Sequence, residues 1–211
     1  MYVADTGNNR VLYFPANSAF EAGVATIVYG QASFNVCTAN RGLSSPTAST
    51  LNQPVSLARD SAGNLYVADE MNNRVLRFPS GSTTANMVYG QPSFISNQAN
   101  YPHSILGAGS AHNLYEPYGV ALDWANNLYV ADYMNNRVLM FPSGFTNASV
   151  VYGQPNFTDL DPTTSASGMR NPNAMTLDAQ GNLLVADTGN YRILVFAQGN
   201  PTAAVRVIGG S

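Results

Sequence analysis

The chain has 211 residues, nine of them positive and twelve acidic, for a net charge of −3 and a pI near 5.1. All nine cations are Arg, and with the net charge negative no basic face of the kind that binds nucleic acid is evident. Cys37 stands alone, which excludes an intramolecular disulfide and disfavours a Cys-based metal site, and no apolar run approaches the ~18 residues of a membrane span.

Along the chain, one motif returns four times: Val-Ala-Asp, two variable residues, Asn, one more residue, then Arg. Its Asp and Arg are Asp5 and Arg10, Asp69 and Arg74, Asp132 and Arg137, and Asp187 and Arg192. Repetition at such a period sets the architecture before any single residue is weighed. The stretch from Gln53 to Tyr89 reads as one full unit. Pro54–Asp60 is followed by the turn Ser61-Ala62-Gly63-Asn64, then Leu65–Ala68, the Asp69…Arg74 loop, Val75–Phe78, a Pro-Ser-Gly turn and Asn86–Tyr89. Four short runs rich in Val, Leu, Tyr and Phe, divided by Gly, Pro, Asn and Asp, predict four antiparallel strands and hence a β-propeller blade.

The expected class is all-β: one propeller domain over 1–211. Blade 1 covers 1–31 and lacks its innermost strand, blade 2 covers 54–91, blade 3 covers 117–154 and blade 4 covers 172–211. A minimal blade needs about 40–45 residues, so inserts are expected at 32–53, 92–116 and 155–171. They open alike, as Gln31-Ala32-Ser33-Phe34, Gln91-Pro92-Ser93-Phe94 and Gln154-Pro155-Asn156-Phe157. Each Phe is expected to plug its insert onto the blade edge. About four blades with one strand missing predict an open arc or part of a larger ring, able to self-associate through its open edges. Because Met1–Asp5 is already mid-repeat, the chain is expected to begin partway through a larger protein, with no signal peptide in this chain.

The pattern Pro…Leu-Asp…Gly-Asn-Leu-Tyr-Val-Ala-Asp-x-x-Asn-Asn-Arg-Val-Leu-x-Phe resembles the NHL repeat. The resemblance covers nearly the whole chain, with the inserts as departures. It implies a propeller, usually six-bladed, and says little about function, which resides in sites carried on the fold.

Each motif Asp and Arg flank one short loop and are expected to pair as a bidentate clip, the Asn side chains bonding turn amides. That structural role is preferred over a ring of carboxylates gathering a cation. Tyr29, Tyr89 and Tyr152 are read as edge packing rather than ligand stacking. His103 and His112 lie in one Gly/Ser/Ala-rich insert. Amidating lyases that resemble this chain hold a metal with His from several blades, and no such set is present, so neither metal nor cofactor is expected. No Gly-x-Ser-x-Gly elbow, Cys–His pair or phosphate loop occurs. The sequons at Asn147 and Asn156 carry little weight in an Asn-rich chain.

The motif loops and the inserts should share one rim, and variable loops on a rigid scaffold are where recognition resides. Candidate binding residues are Tyr101, His103, His112, Tyr115, Tyr118, Arg41 and Arg170. The expected function is a non-catalytic scaffold binding a protein or carbohydrate, secreted or on a bacterial cell surface. The alternative is a lyase or hydrolase with a metal in the central channel. RNA binding through Arg41, Arg170 and the motif arginines ranks last, because the motif arginines are neutralised by their aspartates.

Overall fold

The fold is described from a computed structural model that covers residues 1–16, 23–102 and 109–210. Among these residues there are fifteen strands in four antiparallel sheets. Blade 1 has β1 (Tyr2–Asp5), β2 (Arg10–Tyr13) and β3 (Ile27–Tyr29). Blade 2 has β4 (Pro54–Arg59), β5 (Leu65–Asp69), β6 (Arg74–Phe78) and β7 (Met87–Tyr89). Blade 3 has β8 (Pro117–Leu122), β9 (Leu128–Asp132), β10 (Arg137–Phe141) and β11 (Val150–Tyr152). Blade 4 has β12 (Pro172–Leu177), β13 (Leu183–Asp187), β14 (Arg192–Phe196) and β15 (Arg206–Gly209). The strand count and the three-stranded first blade match the sequence reading.

Turn chemistry fixes each hairpin at both rims. On one rim the Asp60 carboxylate accepts from the amide and the side chain of Asn64 at 2.8 and 2.7 Å, and Asp123–Asn127 and Asp178–Asn182 repeat the bond. On the other rim a single 3₁₀ turn joins the second and third strands and ends on a left-handed residue: Asn9, Asn73, Asn136 or Tyr191. Asn tolerates that backbone far better than most residues. The turn sets Asp opposite Arg in every register, Asp69↔Arg74 and Asp132↔Arg137 among them.

The core lies between blades rather than within one. Each junction joins the rear face of one blade, the front face of the next and one side chain from the insert between them. In the junction of blades 1 and 2, for instance, Val11 and Tyr29 meet Leu65, Val67, Leu76 and Phe78 beneath Leu51. The tyrosines of the outermost strands pack edge-on against the Phe of the following blade: Tyr29–Phe78, Tyr89–Phe141 and Tyr152–Phe196, all with centroids 5.3 Å apart. This is edge packing, as the strand pattern implied. The innermost strands β4, β8 and β12 contact one another in turn around the axis, and β1, in the second-strand position of blade 1, contacts β4. Among the described residues, no substantial strand contact joins blade 4 to blade 1. The arc is therefore open, and its terminal faces show it. Ile193 is 40% exposed where its counterparts Val11, Val75 and Val138 are fully buried.

Two predictions follow from the junctions. Gly90 turns with φ +86°, and a Cβ there would lie 2.6 Å from the Leu114 side chain that seals the junction. Gly90→Ala should therefore cost about 2–4 kcal/mol in urea unfolding, whereas Gly81→Ala, which meets no neighbour within 4 Å, should cost only the backbone share.

Burial pushes the hydroxyls of Tyr29, Tyr66, Tyr89, Tyr129 and Tyr152 above the ordinary value of 10.0. These groups bind their protons more tightly folded than unfolded. Their share of stability is thus intact below about pH 10 and is lost as pH rises above it. Spectrophotometric titration should show a delayed class among the twelve tyrosines, ionising together with loss of the β-sheet circular dichroism signal.

Candidate functional site

The motif pair is the centre of a larger network. The Arg74 Nε donates to Asp69 Oδ2 at 2.7 Å, and Asn72 Nδ2 donates to the same oxygen at 2.8 Å. The other carboxylate oxygen accepts the backbone N–H of Asn52, from the preceding insert, at 2.6 Å. Arg74 Nη1 donates to the Phe94 carbonyl at 2.6 Å, in the following insert. Its Nη2 donates to the carbonyls of Thr47 and Thr50, both at 3.0 Å. Arg137 and Arg192 repeat the pattern, bonding Ser110 and Asn113, and Ser165 and Gly168.

The expected bidentate clip is thus corrected: the arginine spends one donor on its aspartate and the rest on insert carbonyls. The reason is satisfaction of buried backbone, since those carbonyls have no ladder to join. The expected bonding of Asn to turn amides is corrected too, because Asn8, Asn72, Asn135 and Asn190 donate to the Asp carboxylate. Burial raises the carboxyls of Asp69 and Asp132 from their ordinary value, opposed by the adjacent guanidinium, the insert amide and the Asn side chain.

The second motif Asn binds the following insert at both ends. Asn73 Nδ2 donates to the Asn97 carbonyl at 2.9 Å, and its Oδ1 accepts the N–H of Glu116 at 2.9 Å. Phe94 and Phe157 pack onto the junction cores, as plugs would, but Phe34 is 43% exposed and does not.

The candidate binding residues fall in separate places. Tyr101 and His112 line one groove of about 660 Å³ with Met87, Val88, Pro92 and Asn147, along the outer edge between blades 2 and 3. His112 Nδ1 lies 2.7 Å from Asn147 Oδ1. An equivalent groove of about 670 Å³ runs between blades 3 and 4, lined by Val150, Pro155, Phe157, Thr163 and Ser167. His103 lies outside the described residues.

Tyr115 gives its amide to Asp132 Oδ1 at 2.7 Å and sits in the clip network. Tyr118 lies apart, on β8 at the inner rim, its ring 5.0 Å from that of Tyr133. Arg41 bonds the carbonyls of Gly30 and Gln31, at 3.3 and 3.1 Å, and pins its own insert. Arg170 is exposed and gives its backbone N–H to Asp187 at 2.6 Å. Sequence reading passed over Glu70, Glu116 and Tyr133. Glu70 and Tyr133 occupy the first variable position of the motif, which was treated as filler.

Among the described residues, no three His, Cys, Asp or Glu side chains converge as a metal set, and no helix is long and apolar enough to cross a membrane.

The sequence model of the NHL repeat matches residues 51–78, 114–141 and 169–196. These three segments are NHL repeats. The three matches are the second, third and fourth motif copies, and the first copy, around Asp5, folds into the same hairpin. A curated relative, NHL-repeat-containing protein 4 of Mus musculus, is 28% identical over 118 residues, 56% of this chain and 76% of that protein. Among solved structures, a streptogramin B lyase superposes with TM-score 0.56 at 11% identity, over 98% of this chain and 49% of its own. A putative 6-phosphogluconolactonase from Bacteroides uniformis gives 0.59 at 10% identity, over 100% and 53%. The chain thus spans about half the length of these two proteins, and the likeness is one of fold.

Removing an NHL arginine leaves a buried carboxylate unpaired. Arg137→Met should cost about 3–5 kcal/mol, and Arg137→Lys should recover only part of this because a point charge cannot reach both inserts. The double variant Asp132→Leu/Arg137→Met should be more stable than Arg137→Met alone. Urea unfolding followed by circular dichroism orders the three.

Proposed function

We propose that the chain is a non-catalytic recognition scaffold whose insert-bearing rim binds a protein or carbohydrate partner. One observation carries this reading: two grooves share a framework and differ in lining. Gln91, Pro92 and Phe94 in one are Gln154, Pro155 and Phe157 in the other, yet Tyr101, His112 and Asn147 are met by Thr163, Ser167 and Thr202. A fixed frame with exchanged side chains is how a repeat scaffold acquires specificity. An aromatic face beside imidazole, amide and hydroxyl groups suits a polar ligand with apolar patches. The lysine-free composition supports a secreted or cell-surface setting. Likeness to a lyase and a lactonase at 10–11% identity supplies a scaffold and no chemistry for this chain.

The test is panning the chain against a glycan array and a displayed peptide library. Ligands that it retains should weaken by about tenfold or more on Tyr101→Ala/His112→Ala, the loss expected for a stacking ring and its polar neighbour, and should be indifferent to Ser167→Ala. Ligands held equally well by the double variant would remove the groove from the reading.

A further inference from the structure

The two variable residues of the motif differ between the inner and outer repeats. Repeats 1 and 4 carry Thr6-Gly7 and Thr188-Gly189, while repeats 2 and 3 carry Glu70-Met71 and Tyr133-Met134. In blade 1 the Thr6 hydroxyl donates to the Pro54 carbonyl at 2.7 Å, tying the turn to the start of the next innermost strand. An ionised Glu70 has no proton to donate, and at the equivalent junction Asn73, which closes the Glu70 turn, accepts the Glu116 N–H at 2.9 Å, bringing Glu70 towards Glu116 and Tyr118.

The other buried acids of the described chain are bonded. Asp60 is held by Asn64, and Asp69, Asp132 and Asp187 by arginine, asparagine and an insert amide. Glu70 is only 9% exposed as a residue, but its carboxylate oxygens still reach solvent, and among the described residues they take no hydrogen bond and no ion pair. Burial, then the like charge of Glu116, push its pKa up, and no arginine opposes them. A carboxylate set in a largely buried side chain, open to solvent and free of a protein partner, can be paired by an incoming cation. Beside it the half-buried rings of Tyr118 and Tyr133 lie 5.0 Å apart at 37°, and Met71 and Met134 are exposed on the same two turns.

We propose that Glu70, Glu116, Tyr118 and Tyr133 form a site for one organic cation, the ammonium or guanidinium head of a lysine- or arginine-like side chain. Two carboxylates supply the charge, two tyrosine rings supply cation–π faces, and the methionines supply soft contact for the aliphatic stem. A hard metal ion is served poorly, because calcium asks for about six to eight oxygen ligands. The chain carries no lysine of its own and bonds none of its described arginines here, so the occupant is supplied from outside. The site stands apart from the outer grooves and does not depend on their being occupied.

The test is calorimetric titration of the 211-residue chain with N-acetyl-arginine amide and N-acetyl-lysine amide, against uncharged N-acetyl-norleucine amide and calcium chloride. The cationic probes should bind with about millimolar affinity, and the norleucine probe should not. Glu70→Gln, Glu116→Gln and Tyr133→Thr should each weaken binding by about tenfold. The last two copy Gln53 and Thr6 of sister repeats, so the fold tolerates them, and the unfolding midpoint of Glu70→Gln should hold or rise. Tyr101→Ala/His112→Ala should leave probe binding unchanged, which separates this site from the outer groove. Equal heats from the norleucine probe, indifference to Glu70→Gln, or calcium binding with the same variant dependence would each overturn the proposal.

Discussion

Each complete junction between blades depends on a motif arginine held largely or wholly away from water. Arg74 and Arg137 are fully buried, and each touches its own aspartate, the insert behind it and the insert ahead. A buried ion pair on its own is weak support for stability, since desolvation consumes most of the Coulomb gain. Here the guanidinium has a second use. Its remaining donors satisfy carbonyls that the irregular inserts bring inside, carbonyls that would otherwise cost a hydrogen bond each. Blade 1 is the internal control. Among the described residues Arg10 bonds the Phe34 carbonyl of the insert ahead but no carbonyl of an insert behind it, and the Arg10–Asp5 pair is 16% and 25% exposed where the pairs of blades 2 and 3 are closed.

The inserts, by length, look like free loops, but they are pinned along most of their course. The Gln91 amide reaches the Asn73 and Gln98 carbonyls, Arg74 takes the Phe94 carbonyl, Asn73 takes Asn97, and Leu114 is buried in the junction. The same fastenings recur with Gln31 and Gln154. What remains open to variation is short: the outer groove lining and the inner-rim turns. A repeat fold whose recurring polar groups serve closure leaves recognition to the few side chains that closure does not use.

The strands, the hairpin register, the incomplete first blade and the tyrosine packing were legible because each is local and repeats with the motif. The bonding of the arginine was half legible. An Asp and an Arg five residues apart across a tight turn announce a pair, but the third partners lie 20 to 28 residues away in inserts whose only shared mark is a Gln and a Phe. The candidate residues among those described do not gather at one place, for a geometric reason. The rim is wide, so Tyr101 and His112 reach its outer edge while Tyr118 reaches the axis, and Arg41 turns back on its own blade.

Glu70 and Tyr133 were hidden by the repeat itself. A motif is read by what returns, and these two residues occupy the position that does not. Thr6 shows what the fold asks there: a short side chain that bonds the neighbouring strand and ends the matter. Blade 4 again has Thr, with no following blade described beyond it, and Thr188 bonds back to its own strand at 3.4 Å. Only the turns of blades 2 and 3, each flanked by a described blade on both sides, carry the acid and the ring. Neither improves the turn that holds it, since the glutamate forgoes the hydroxyl bond and the bulky tyrosine gains no donor to the backbone. Residues that make a local element worse while meeting across a junction are where a scaffold's sequence departs from its own rule, and such departures are the expected mark of a site.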